Sequence, residues 1–339
     1  MKPNNNNGEN QAFISVSTAS NRPSNRLDFK GAVMAEDGAD KQYKGDDSIP
    51  FQGIPPNSAA GAAPDKKRRL TRAQLEKLEK RLSARDLSVL QALRKYRFLT
   101  SDQVGRLYFT NCSTKTSRTR NQNLLLKRLS DHGLIRPLAR RIGGYQGGSS
   151  VQIWYLTEAG FRLLTLNTPG EHKRKRFSEP SPMFLEHTLS IAECVVQLTL
   201  ICRNSHDLSL DAVDTEPSCW RKYKSDGRVC YLKPDVFVVT SYEKYEDSWF
   251  IEIDLSTESS SQIIEKCNAY LEYFYTGIEQ KETGVFPIVT WVVKDSTRKE
   301  KIKQCIRESI KGQPKMFLVI TPDELEKMIR QYIDSGEIC

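Results

Sequence analysis

The stretch FIEIDLSTES, residues 250–259, carries two carboxylates where a buried strand is expected. Phe250, Ile251, Ile253 and Leu255 are bulky or β-branched and favour an extended chain. Side chains alternate along a strand, so Glu252 and Asp254 share one face while Ile251, Ile253 and Leu255 share the other. Buried charges require a partner or a metal. Upstream, KPDVFVV at 233–239 sets Asp235 at a strand entry, directly after Pro234. Proline suits that position because it donates no ladder hydrogen bond. If the two strands pair, Asp235 lies beside Glu252 and Asp254. Three converging oxygens would then form a hard-cation site of the kind Mg²⁺ prefers. Such an ion can activate water and stabilise phosphate charge in an in-line displacement.

The elements that must hold these groups follow from patterning. A helix from about 182 to 203 carries Leu185, Leu189, Ile191, Val195, Val196 and Leu200. Strands are expected near 208–216, 230–240 and 248–255, then a helix at about 260–276 and a strand at 286–293. A helix at 297–311, a strand at 315–320 and a helix at 322–335, capped by Thr321 and Glu324, complete the order. This is a mixed sheet flanked by helices.

The preceding region has a different rhythm. Ser83 with Asp86 and Thr100 with Gln103 read as capping-box helix starts. A third helix is expected from about Ser117 to Asp131, with Leu125, Leu126 and Leu129 inward and Gly133 as its stop. Its outer face carries Arg118, Arg120, Asn121, Asn123 and Lys127. Two strand-like runs, LIRPLARRI and VQIWYLT, flank the glycine-rich GGYQGGSS, and a further capped helix follows in LTEAGFRLL. Three helices and a basic-tipped hairpin make a winged helix-turn-helix. Its third helix would enter a major groove, and Arg140 and Arg141 would meet phosphate.

Charge supports a polyanionic partner. The chain has a net charge of +9, yet residues 65–180 alone hold 26 Lys and Arg against 9 Asp and Glu, so the remainder is acidic. Residues 1–64, rich in Asn, Gly, Pro and Ser, read as a disordered polar tail. The domain expectation is a tail at 1–64, a winged helix at 65–168, a basic linker at 169–181 and an α/β domain at 182–339. The basic clusters at Lys66–Arg69 and Lys173–Arg176 could touch phosphate or keep their segments solvated. The start MKPNNNNGEN is polar, the apolar runs read as too short to cross a bilayer, and no C-x-x-C pair is present. A reducing cytoplasm and no membrane partner are therefore expected. No heptad seam marks a dimer, although winged helices often form homodimers on symmetric sites.

The order α-β-β-β-α-β, with PD on one strand and ExD on the next, resembles the PD-(D/E)xK nuclease superfamily. The resemblance implies a restriction-endonuclease-like domain, with Asp235 and Glu252 as its acidic pair and Glu193 as the acidic residue of the first helix. The usual lysine position holds Asp254, so Lys266 on the following helix stands in, either acting on a water or neutralising Glu252. Glu216 is a weaker acidic candidate. The blocks LSARDLSVLQALRKYRFLTSDQVGRLYF, LLLKRLSDHGLI, YLTEAG and LKPDVFVV…FIEIDLSTES…EKCNAYLEYF together resemble the replication-relaxation family of bacterial plasmids and mobile elements. That resemblance implies an α+β, multidomain protein binding double-stranded DNA in plasmid replication or relaxation, in company with replication or transfer proteins. One alternative is a Mg²⁺-dependent endonuclease or nickase using Asp235, Glu252, Asp254 and Lys266, with Asp235, Glu252 and Glu193 on the metal. A second is a transcriptional regulator. His187 reads as a helix-packing residue, and Tyr270 and Tyr273 as core or rim.

Overall fold

The computed structural model describes residues 69–139, 152–168, 178–225, 227–242, 245–310 and 314–334. The 1–64 tail, the glycine-rich tip with Arg140 and Arg141, and the basic run at 173–176 lie outside the described residues.

The chain is α+β. Its first part runs α1 (Arg72–Glu79), α2 (Ala84–Tyr96), β1 (Phe98–Thr100), α3 (Ser101–Tyr108) and α4 (Lys115–Asp131). It ends with β2 (Ile135–Pro137), β3 (Ile153–Leu156) and α5 (Glu158–Leu164). Both expected capping boxes form: Ser83 with Asp86 opens α2, and Thr100 with Gln103 opens α3. Gly133, at φ +73°, turns the chain after α4 as only glycine does without strain. The three short strands make an antiparallel sheet ordered β1-β3-β2. Leu90, Leu93, Leu125, Leu126 and Leu129 form the core between the helices.

The second part runs α6 (Pro182–Asn204), β4 (Leu208–Thr215), β5 (Arg221–Ser225), β6 (Arg228–Leu232), β7 (Val236–Tyr242) and β8 (Tyr245–Asp254). It continues with α7 (Ser260–Thr276), α8 (Ile278–Thr283), β9 (Ile288–Val293), α9 (Ser296–Ser309), β10 (Phe317–Ile320) and α10 (Leu325–Asp334). A mixed sheet has the order β10-β9-β8-β7-β4, with β4, β7 and β8 antiparallel and β8, β9 and β10 parallel. α7 and α9 cover one face, while α6 and α10 cover the other.

Two expectations change. The strand expected over 230–240 is two strands, β6 and β7, because Pro234 interrupts the ladder and β6 pairs instead with β5 in a separate hairpin. The apolar runs expected to be too short to span a bilayer include α6, which is 23 residues long and apolar enough by length and composition. Most of its apolar residues pack inside the protein, although Met183 and Phe184 in its first turn are exposed. Ile191, Val195 and Leu198 pack on the large sheet, Ala192 joins the core of the first part, and Leu185 and Leu189 meet Phe98 and Ile153.

Candidate functional site

Register sets the first two carboxylates. β7 and β8 pair with Val236 opposite Ile251, so Asp235 sits at the end of that ladder. Its Oδ2 accepts the Ile253 backbone N–H at 2.7 Å, extending the ladder by one side-chain bond. Its Oδ1 lies 3.1 Å from His187 Nε2 on α6. One step along β8, Glu252 points to the opposite sheet face from Ile251 and Ile253, and is only 2 % exposed. Two residues of α7, one helical turn apart, reach back to it. Tyr270 donates its hydroxyl to Oε1 at 2.5 Å, and Lys266 Nζ donates to Oε2 at 2.9 Å. Lys266 also donates to Glu258 at 2.6 Å and sits 5.4 Å from the centre of the Trp291 ring.

A third acid and an imidazole extend the group. One ligand atom each from His187, Glu216 and Asp235 lies within 4.8 Å of the others. Electrostatics join this trio to Glu252. Burial, then repulsion from Asp235, pushes the Glu252 carboxyl up to about 7 against the opposing pull of Lys266 and Tyr270. Burial and Asp235 also raise Glu216. The bond to Asp235 raises His187, against burial. Burial pulls the Lys266 ammonium down, but Glu252, Glu258 and Asp235 more than offset it, so Lys266 stays charged. The cluster thus holds more negative potential than its one lysine neutralises. Carboxylate oxygens fit Mg²⁺ or Mn²⁺, and the His187 imidazole widens the fit toward transition metals. Access is from the side of His187 and Lys266, whose side chains are 30 % and 38 % exposed.

Two expected members are not brought to this cluster. Asp254 shares a face with Glu252, but Arg298 of α9 takes both its oxygens, at 2.6 and 2.9 Å, and also donates to the Glu258 carbonyl at 2.7 Å. This buried, two-point ion pair ties β8 to α9 and holds Asp254 on Arg298, apart from the Lys266 and Tyr270 that meet Glu252. Glu193 faces the first part of the chain instead. It accepts from Arg106 Nη1 at 2.9 Å, from Arg106 Nη2 and from Gln103 at 3.2 Å. It is six residues beyond His187 on α6, which turns it away from Asp235. His187 therefore stands where the resemblance set Glu193. No sequence signal singles out His187, a lone histidine on an apolar helix; its partner Asp235 is 48 residues away.

On α4, Arg120, Asn121, Asn123 and Lys127 are exposed on the outward side. Lys127 pairs with Asp131 at 2.9 Å along the helix, and the Asn121 amide contacts Cys112 Sγ at 3.7 Å. Arg118 is half-buried, 3.7 Å from Asp102, and turns toward α3. The structure thus separates Arg118 from the outward four. Arg140 and Arg141, the other residues expected on DNA, lie outside the described residues.

A family model described as replication-relaxation matches residues 90–289, more than half of the chain, and spans both α4 and the acidic cluster. No curated protein and no solved structure matches the chain.

Proposed function

The chain belongs to the replication-relaxation family, and on that premise we propose that it binds duplex DNA through a winged helix-turn-helix formed by residues 65–168. Family membership supports a role in replication or relaxation of plasmids or mobile elements. The observation that carries the finer reading is the outward face of α4. Arg120, Asn121, Asn123 and Lys127 stand exposed there, while Leu125, Leu126 and Leu129 anchor the opposite side in the core. Arg and Asn are the side chains that read guanine and adenine edges bidentately, and Lys meets phosphate. The β1-β3-β2 sheet behind the helices suits the wing of that fold. The partner in this reading is double-stranded DNA in the cytoplasm, with replication or transfer proteins and a second copy as further partners.

Fluorescence anisotropy on a labelled duplex tests it. Wild-type binding should weaken steeply with salt, and Arg120→Ala should cost about 1–3 kcal/mol at the preferred site. Lys127→Ala should lower the salt slope by about one. Unchanged binding in both variants would reject α4 as the reading helix.

A second reading is favoured by the convergence of Asp235, Glu252 and Lys266. In it, residues 182–339 form a PD-(D/E)xK-like domain that cleaves or nicks DNA with a divalent cation. Asp235 and Glu252, with Glu216 and His187 beside them, would hold the ion, which supplies an activated water and charge stabilisation. Lys266 would keep its proton and offset charge developing on the phosphate. Tyr270 would hold Glu252 in place. Supercoiled DNA incubated with Mg²⁺ or Mn²⁺ decides this: nicking should vanish with chelator and in Asp235→Ala and Glu252→Ala. Intact DNA under every condition would remove the enzymatic reading and leave the binding one.

A further inference from the structure

We propose that the β5–β6 hairpin is a single-strand DNA-binding ribbon that lays its strand across the acidic cluster; this rests on the reading of the protein as DNA-binding. The hairpin is not part of the five-stranded sheet. Its two faces differ sharply. The inner face is anchored on α7 and the sheet: Tyr223 and Leu232 are buried, and Tyr223 donates to Glu272 at 3.3 Å. The Arg221 guanidinium bonds Glu279 and lies 4.6 Å from the centre of the Phe237 ring. The outer face pairs Lys222 with Tyr231 and Lys224 with Val229 across the two strands. All four are exposed, with Val229 at 51 % and Tyr231 at 40 %.

Cations surround the exposed ring. Lys222 and Lys233 each lie 5.9 Å from the Tyr231 centroid, and Lys233 lies 4.7 Å from that of half-buried Trp220. Lys224, Arg228 and Lys233 form no ion pair with a described residue. Aromatic rings interleaved with cations match a single strand, whose bases can stack while its phosphates pair with lysine. A duplex hides its base faces, so the rings would find nothing to stack on. Charge complementarity fits DNA of either form, and ring exposure favours a single strand over duplex.

Position gives the ribbon its use. Glu216 lies just before one foot of the hairpin and Asp235 just after the other. The feet are tied together by Cys219, whose thiol donates to the Pro234 carbonyl at 2.9 Å. A strand stacked on Tyr231 and Trp220 would pass the feet of the hairpin, which Glu216 and Asp235 flank in the chain.

Anisotropy of the full chain on a thymidine oligomer of about 20 nucleotides, and on a duplex of the same length, tests this. Tyr231→Ala should weaken oligomer binding about tenfold, and Lys224→Glu with Lys233→Glu should abolish it, while duplex binding is unchanged in both. Arg120→Ala should show the reverse pattern. Wild-type protein that binds duplex but not the oligomer overturns the ribbon and leaves α4 as the DNA reader. Hairpin variants that bind the oligomer like wild type also overturn it. Wild-type protein that binds neither DNA removes the DNA-binding reading and the ribbon with it.

Discussion

Arg298→Met should destabilise the protein severely, because it strands a buried carboxylate. The Asp254 side chain is fully buried and that of Arg298 nearly so, at 9 % exposed. Three hydrogen bonds link the guanidinium to Asp254 and to the Glu258 carbonyl. Methionine keeps the aliphatic stem but removes every donor. Asp254 is then left charged in the interior, and breaking a buried pair from one side costs about 3–5 kcal/mol. For a domain of this size the melting temperature should fall by about 6–20 °C, at 2–4 °C per kcal/mol. The deficit should shrink at acid pH, where the stranded carboxylate can take up a proton. Urea denaturation of wild type, Arg298→Met, Asp254→Asn and the double variant closes the cycle. The double variant should recover much of the loss, because neither group is left charged and alone. An Arg298→Met cost below about 1 kcal/mol would refute the account, since that is the range of exposed pairs. It would also reopen Asp254 as a group free to act at the cluster.

Other outcomes follow from the same geometry. Glu252, Glu216 and His187 all bind protons more tightly in the folded state than in the unfolded one. Stability should therefore fall as pH rises from the unfolded carboxyl value of 4.5 through about 7, and Mn²⁺ should restore it most at the alkaline end, as read by thermal melts. Melts that rise with pH across that window would refute the protonated cluster. Tyr270→Phe removes a donor from a buried carboxylate and should cost about 1.5–3 kcal/mol, with the Glu252 carboxyl moving further up in an NMR titration. Gly160→Ala would bring a methyl 2.3 Å from the Leu134 carbonyl oxygen and 2.6 Å from Leu156 Cδ1. Backbone must shift to admit it, and a loss of about 1–3 kcal/mol in denaturant is expected.

Much of the scaffold was legible in local residue patterns. The Ser83 and Thr100 caps announced two helices, because a capping box is satisfied within four residues. The alternation of β8 showed that Glu252 and Asp254 oppose Ile251 and Ile253, because the pleat has period two whatever lies across it. The β5–β6 hairpin was hidden. Its strands are five residues each, and Tyr231 and Leu232 read as the opening of the next strand.

Where local patterning was strong, as in α2, α3 and β8, the amino-acid order by itself determined the type of element and which side each residue occupies. Those properties depend on neighbours within a few positions. Only the tertiary structure decided what each carboxylate meets. Glu252 and Asp254 are two residues apart on one face, yet Glu252 meets Lys266 and Tyr270 of α7 while Asp254 meets Arg298 of α9. Asp235 meets His187, a residue 48 positions away on a helix of the opposite layer. The pleat sets the direction of a side chain, but the partner it finds depends on how two helices cross the sheet. That crossing is a packing outcome, set by long-range burial that no local spacing encodes.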